Sequence, residues 1–508
     1  MEIYTKEIPL FKSVFCGDVD REFEKETSLP DYCPDITRLI KLDATPYVES
    51  AVLNGDKCII NGTYLFSMLY ESNESAALSF STFTLPFTEK ADIKASVKEG
   101  AVNCKVKLKR IGCKIINPRK FSVRVKSVLS ISVQGVEKAR ICDTSLLPQN
   151  IFTKKDSYTY SEKTDEKSNE FTFEESYTLS ERSVPVEDVI MNFMSAEKPE
   201  CFVSNGKAEI KTSVTSKLLY TGEGERGKCI LSKKSFPVTL SFDDVDAEDG
   251  VSVCCEASVV AAETSIDVDS YGENRTVQIR FTVMGKIMLY KSCEAEFATD
   301  GFAAGCSNYP VLQKFSTLTE MEPVSRIFTL EGKFLTDTSL KETLDYSAKI
   351  NDCKIKREEN SAIVYGSYTI SLLCKTDERY ENVDLTESFE ERIPEIDFKF
   401  DLCDIDCAVL ETNVSVSADG NADAKIVCAL KLSPKVYRTF SAVTDLIAVD
   451  NEEKDNYNLI FCYPSGKDDL WNIAKRYFVD PEALRSDNPE NFNTVGELTS
   501  RLPIIIKK

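Results

Sequence analysis

The stretch "KCIINGTYLFSMLY" (57–70) decides the fold. Apolar side chains alternate along it with polar or small ones, the period of a β-strand with one buried face, and it closes on an apolar pair before a polar turn. Two other stretches lie over it: "AEIKTSVTSKLLY" (208–220) and "AIVYGSYTISLLC" (362–374). After each comes a strand that carries a proline, "FTLPFTEK", "SFPVTLSF" and "FEERIPEIDF". Two strands across a turn follow: "VNCKVKLKRIGCKIINPRKFSVRVKSVL", "VSVCCEASVVAAETSIDVDSYGENRTVQIRFTVM" and "LCDIDCAVLETNVSVSADGNADAKIVCALKL". The spacing between copies is about 150 residues, a whole domain rather than a solenoid unit.

The first 450 residues therefore read as mainly β, in tandem repeats bounded at 1–152, 153–310 and 311–452. Ahead of the strands, "SLPDYCPDITRLIK" (28–41) and "SVPVEDVIMNFMS" (183–195) each predict a proline turn running into a short amphipathic helix. A degenerate counterpart lies near "DTSLKETLDYSAK" (337–349). Asp31 and Asp35 would cap the first of these helices.

Composition excludes several classes of function. The 508 residues are 42% hydrophobic and carry a net charge of -21, which argues against nucleic acid and anionic membrane as partners. The N-terminus "MEIYTKEIPL" has no secretory pattern, and no apolar run is long enough to span a bilayer, so a cytosolic protein is expected. There is no histidine, which removes the usual general base at neutral pH and every imidazole triad.

The 18 cysteines are scattered, often inside apolar strands as in "AKIVCALKL", and read as small buried hydrophobes in a reducing compartment. The nearest pair, Cys403 and Cys407, is C-x-x-x-C, so neither a metal site nor any cofactor is expected. "GEGERGKC" (222–229) matches G-x-x-x-x-G-K, but a strand follows where a phosphate loop needs a helix, and Glu223 and Glu225 would repel the nucleotide. A hairpin loop is expected there.

The last 50 residues differ from the rest. They hold Trp471, the single tryptophan of a chain with 28 Phe and 20 Tyr, and within 456–508 seven basic residues balance seven acidic ones. "YNLIFCYPSGKDDLWNIAKRYFVDPEALRSDNPENFNTVGELTSRLPIIIKK" reads as strand, helix, helix, strand. Leu459, Ile460 and Phe461 alternate into a core, and Asp468 or Asp469 caps a helix on which Leu470, Ile473, Ala474 and Tyr477 recur. Pro481 opens the second helix, Asn488-Pro489 ends it, and "RLPIII" closes the sheet. In so small a module one large aromatic supplies much of the buried area, so the core is assigned to Trp471, Ile473, Tyr477 and Leu484. Leu470→Ala and Trp471→Ala are expected to loosen the tail and leave the repeats intact.

Tyr457, Ser465, Gly466, Leu470, Trp471, Ile473, Ala474, Tyr477, Val479, Leu484, Asn488 and Pro489 follow one another in the order of the LysM pattern, which 455–508 resembles. The resemblance implies a βααβ fold and a shallow groove for N-acetylglucosamine-containing glycans. That groove would lie between Ser465, Gly466, Lys467, Asp468, Asp469 and Leu470 on one side and Asp487, Asn488, Pro489, Glu490 and Asn491 on the other.

The repeats carry a second resemblance. "LPDYCPDI", the strand from Asn61-Gly62 and "INPRK" resemble the SPOCS domain of clostridial spore-coat proteins, closely over 28–135, less over 183–290 and faintly over 325–435. SPOCS repeats followed by one LysM domain is the architecture of the SipL-like spore-coat morphogenetic family. It implies a non-enzymatic adaptor of the endospore coat, in the mother-cell cytoplasm at the forespore surface. Its LysM region would dock on stage IV sporulation protein A, a coat ATPase, and the repeats would contact other coat proteins. The LysM pattern alone implies the alternative, a protein that binds peptidoglycan glycan. No nucleic acid partner and no membrane insertion are expected.

Overall fold

The computed structural model describes residues 4–73, 78–93, 100–224, 229–245, 251–335, 342–358, 361–376, 379–394, 400–417, 421–449, 459–466, 468–500 and 502–507. The first stretch of chain forms β1 (Thr5–Ser28), β2 (Ile36–Asn54), β3 (Lys57–Ser72), β4 (Leu78–Asp92), β5 (Gly100–Asn117) and β6 (Lys120–Cys142). These make two antiparallel sheets, β1-β6-β5 and β2-β3-β4. Between them lies a core of Ile60, Tyr64, Phe66, Met68, Phe87, Phe121 and Val125, alternate residues of facing strands.

The second sandwich uses β7 (Ile151–Thr178), β8 (Val186–Ala196), β9 (Glu200–Ser204), β10 (Lys207–Gly222), β11 (Cys229–Phe242), β12 (Val251–Val268) and β13 (Asn274–Ala303). Its sheets are β12-β13-β7 and β11-β10-β8, with β9 also on β10. The third uses β14 (Asn308–Glu320), β15 (Val324–Leu335), β16 (Glu342–Glu358), β17 (Ser361–Lys375), β18 (Tyr380–Pro394), β19 (Leu402–Val416) and β20 (Asn421–Ala448). Its sheets are β14-β20-β15, with β19 also on β20, and β16-β17-β18. Each sandwich encloses a core drawn from its own stretch of chain. The tail adds β21 (Leu459–Cys462), α1 (Leu470–Tyr477), α2 (Pro481–Asp487) and β22 (Ile504–Lys507).

The helices expected over 28–41 and 183–195 are absent: β2 and β8 occupy those places, and within 337–349 the described part is the start of β16. The spacing of Ile36, Leu39 and Ile40 mimics a helix because β2 is bulged. Its pairing with β3 skips Thr37 and then Ile40, so residues three apart fall on one face of a strand. Pairing of β8 with β10 skips Glu187 and Ile190, the same two places. Asp31 and Asp35 accordingly cap no helix. The turn they stand in is gripped by Arg119 of the "INPRK" turn, which donates to the carbonyls of Pro30 (2.8 Å) and Cys33 (3.1 Å) and to the Asp35 carboxylate (3.0 Å). Arg275 holds the Ser180 and Ser183 carbonyls of the second sandwich in the same way. In both, a tyrosine hydroxyl at the end of the central strand (Tyr70, Tyr220) donates to the carbonyl of the turn (Pro34, Val184). The two sequence signatures are thus halves of one arginine clamp.

The three sandwiches close into a ring around which corresponding residues meet. Leu69, Leu219 and Leu373, the same position of the three central strands, share one buried cluster with the bulge residues Ile190 and Leu344. Cys142, Ala298 and Val443, again corresponding, form another. Between these lie the long antiparallel arms β1/β6, β7/β13 and β14/β20, linked in cyclic order. The Phe11 amide donates to Thr317 Oγ1 (3.0 Å), Arg438 donates to the Ser157 carbonyl (2.6 Å), and the Tyr158 hydroxyl donates to the Pro9 carbonyl. Phe297 and Phe440 pack with their ring centres 4.2 Å apart and their planes tilted by 31° within this layer.

Burial pushes the Cys104 thiol up to about 12 and the Cys113 and Cys403 thiols up to about 11. Thiols held protonated in this way are poor nucleophiles and poor metal ligands. Cys229 opens the strand β11 after the G-x-x-x-x-G-K stretch, of which residues 225–228 lie outside the described residues. Among the described residues no three His, Cys, Asp or Glu side chains come together to hold a metal ion, and no helix is long and apolar enough to cross a membrane.

Candidate docking site on the C-terminal module

The tail is small, and its local signals are strong. Asp469 caps α1, its carboxylate accepting the Asn472 amide at 2.7 Å, an interaction of about 1 kcal/mol. Phe478 ends the helix in the left-handed region (φ 54°) and sends its amide back into the last turn. Asp480 caps α2 ahead of Pro481. Strands β21 and β22 pair antiparallel beneath the helices.

Leu470, Ile473, Ala474, Leu484, Phe492, Ile504 and Ile506 fill the core, with Tyr477 packed at its edge. On β21 Ile460 and Cys462 turn inward, whereas Leu459 and Phe461, and Tyr463 just past the end of the strand, are 48%, 56% and 76% exposed. The exposed row arises because the period of a strand sends alternate residues to opposite faces.

The residues expected to line a glycan groove have different surroundings, and Asp469 among them is the cap of α1. Leu470, Asn488 and Asn491 are buried. The Asn488 amide group donates to the Leu484 and Ile505 carbonyls and accepts the Ile505 amide, bracing α2 against β22, and Asn491 donates to the Leu502 carbonyl. Asp468 accepts the Ser465 amide and pairs with Arg476, and both hold its carboxyl below the usual range. Asp487 pairs with Lys507 at 2.6 Å. Ser465, Gly466, Pro489 and Glu490 are exposed, and Lys467 lies outside the described residues. A cleft of about 430 Å³ lies elsewhere on the tail: it runs between α1 and the start of β14, lined by Asn308, Asn472, Lys475, Arg476 and Phe478, and shares Asp468 with that groove.

Trp471 has another task. Its indole meets Phe302 of β13 edge to face at 5.1 Å, and its Nε1–H donates to Asp300 Oδ2 at 2.9 Å. Lys475, one turn on, also binds Asp300, and the Lys154 ammonium lies over the indole at 5.4 Å. Phe302, fully buried, and Phe152 opposite it belong to the same cluster as the tail core. The Gly305 amide adds a bond to the Phe478 carbonyl at 2.8 Å. The single tryptophan is thus the side chain by which the tail sits on the second sandwich. Asp300, Phe302, Phe152 and Lys154 were not singled out from sequence, although "ATDGFA" (298–303) returns as "VTDLIA" (443–448) and could have marked them.

Burial works against the charge of Asp300, and the bonds from Lys475 and Trp471 more than offset it, leaving the carboxyl below its ordinary 3.8. A carboxyl depressed by docking stabilises the docked state fully above 3.8 and loses that contribution as pH falls through the docked value. Acidification below 3.8 should therefore release the tail and shift Trp471 emission to the red. Asp300→Asn should remove this pH dependence; an acid transition unchanged in that variant would mean that another group governs it.

Residues 35–116 match the family model for the SPOCS domain of SipL. The match spans β2 to β5 and leaves out β1 and β6, the strands that complete the first sandwich. No curated protein and no solved structure matches the chain.

Proposed function

We propose that the chain, in which residues 35–116 match the SPOCS domain of SipL, is a spore-associated, non-enzymatic structural protein that acts as an adaptor in endospore coat assembly, at the forespore surface in the mother cell. In this reading the tail is a LysM module that docks on the coat ATPase, stage IV sporulation protein A, while outer faces of the sandwiches contact other coat proteins. The observation that carries it is the row Leu459, Phe461 and Tyr463, three large apolar side chains exposed at alternate positions along β21 and just beyond its end. A row of this kind suits a protein surface, since aromatic anchors supply most of the energy of such interfaces. The polar residues that a sugar groove would use are largely engaged within the tail itself.

Glycan binding through Ser465, Gly466, Pro489 and Glu490 is the second reading, favoured by the exposure of those four residues. Binding of the full chain to the recombinant ATPase and to purified peptidoglycan sacculi separates the two. The adaptor reading expects saturable binding to the ATPase, weakened about tenfold or more by Phe461→Ser with Tyr463→Ser. Binding to sacculi alone, indifferent to those changes, would overturn it in favour of the glycan.

A further inference from the structure

The seat that holds the tail occurs twice. In the second sandwich Thr299 is the bulged residue of β13, its hydroxyl donates to the Lys154 carbonyl at 3.2 Å, and the next residue, Asp300, faces Lys154 and accepts the Gly301 amide. In the third sandwich Thr444 is the bulged residue of β20 and donates to the Val311 carbonyl at 3.2 Å. Asp445 follows, faces Val311 and accepts the Leu446 amide. Two residues further, Phe302 pairs with Phe152 in one and Ile447 with Tyr309 in the other.

The two copies differ in what lies on them. Phe302 is fully buried under the tail, whereas Ile447 and Tyr309 are 41% and 50% exposed, and Asp445 is exposed beside them. The first sandwich breaks the pattern: Thr144 stands where the others have aspartate, and it donates to Glu296.

We propose that the end of the β14/β20 arm is a second docking seat, for a helix of another protein that presents a large aromatic side chain and, four residues on, a lysine or arginine. The chemistry is taken from the occupied copy. An indole or phenol packs on the apolar pair and a cation one turn later meets the carboxylate, whose orientation is already fixed by its bond to the following amide. The tail lies on the second sandwich, and among the described residues nothing lies on the seat of the third, which is open to a partner. Val311 replaces Lys154, so the partner's ring gains no cation over its face and binds more weakly than the tail does on its own seat.

The test uses the full chain and a fluorescein-labelled peptide of residues 467–480, "KDDLWNIAKRYFVD", held helical by a hydrocarbon staple between positions 472 and 476, since so short a helix is not stable alone. Anisotropy should show one saturable site per chain. Asp445→Lys and Ile447→Ser, both at exposed positions, should each weaken it about tenfold or more, and alanine at the peptide's tryptophan should do the same. Asp300→Lys, made together with Trp471→Ala in the chain so that a released tail cannot compete for the seat, should leave it unchanged. Binding that survives both third-sandwich changes, binding lost only with Asp300→Lys because the peptide displaces the tail, or no saturable binding would each overturn the proposal.

Discussion

Gly366→Ala should unfold the third sandwich at a temperature where the other two remain folded. A Cβ built on Gly366 lies 1.9 Å from the Asp352 carbonyl oxygen and 3.1 Å from the Phe389 ring, and the nearer atom is backbone that cannot swing aside. The strands at this point, β16 and β17, pair through a bulge between Ile350 and Asp352 that pushes the carbonyl toward the glycine. Separating them breaks ladder bonds above a core that includes Tyr368 and Phe389, so the loss should reach about 3 kcal/mol or more.

The same close approach occurs in the first sandwich, where a Cβ on Gly62 would meet the Tyr47 carbonyl oxygen at 2.3 Å beside the Val48/Ser50 bulge. The second sandwich has Thr212 in this place, and there the facing strand is interrupted: β8 stops at Ala196 and β9 starts at Glu200. The Thr212 hydroxyl donates to the Glu197 carbonyl across the gap. Thr212→Gly should therefore cost far less than Gly366→Ala. Site-resolved hydrogen exchange decides the matter, and uniform protection of β16–β18 in Gly366→Ala would show that the strands yield more easily than the geometry implies.

How much of this was legible follows from the range of the interactions. Strand periodicity is local, and the alternation over 57–70 became β3 with its even residues buried. Caps are local too: of the two candidates Asp468 and Asp469 it is Asp469 that caps the first helix of the tail, and Pro481 opens the second where the sequence puts it. Bulges deceive, because skipping Thr37 and Ile40 turns a two-residue period into one that looks helical.

The packing between units was hidden for a different reason. Trp471 falls at an apolar helical position, and nothing local tells whether such a side chain fills its own core or a neighbour's surface; Asp300 and Phe302, some 170 residues away, settle it. The ring left one trace, the apolar pairs that close the central strands. Tyr70 and Tyr220 face their own cores while Leu69 and Leu219 face the axis, as expected of a strand buried on both sides.

That division predicts opposite outcomes for neighbouring residues. Leu219→Asp places a carboxylate among Leu69, Leu373, Ile190 and Leu344, at a site with no exposure, close to Asp345, whose charge already binds Lys217 at 2.9 Å. An unpaired charge there costs several kcal/mol, roughly 3–5 by analogy with broken buried pairs. The ring should open, with sedimentation and small-angle scattering reporting a larger particle, while the three separate cores keep their strand signal in circular dichroism. Tyr220→Ala, one residue on, acts on the other face. It removes a fully buried ring from the core of the second sandwich, at a cost of about 3–5 kcal/mol, and should melt that sandwich. If Leu219→Asp instead unfolded all three sandwiches together, the ring would be part of the cooperative fold of each, and the repeats could not be treated as separately stable bodies joined at an interface.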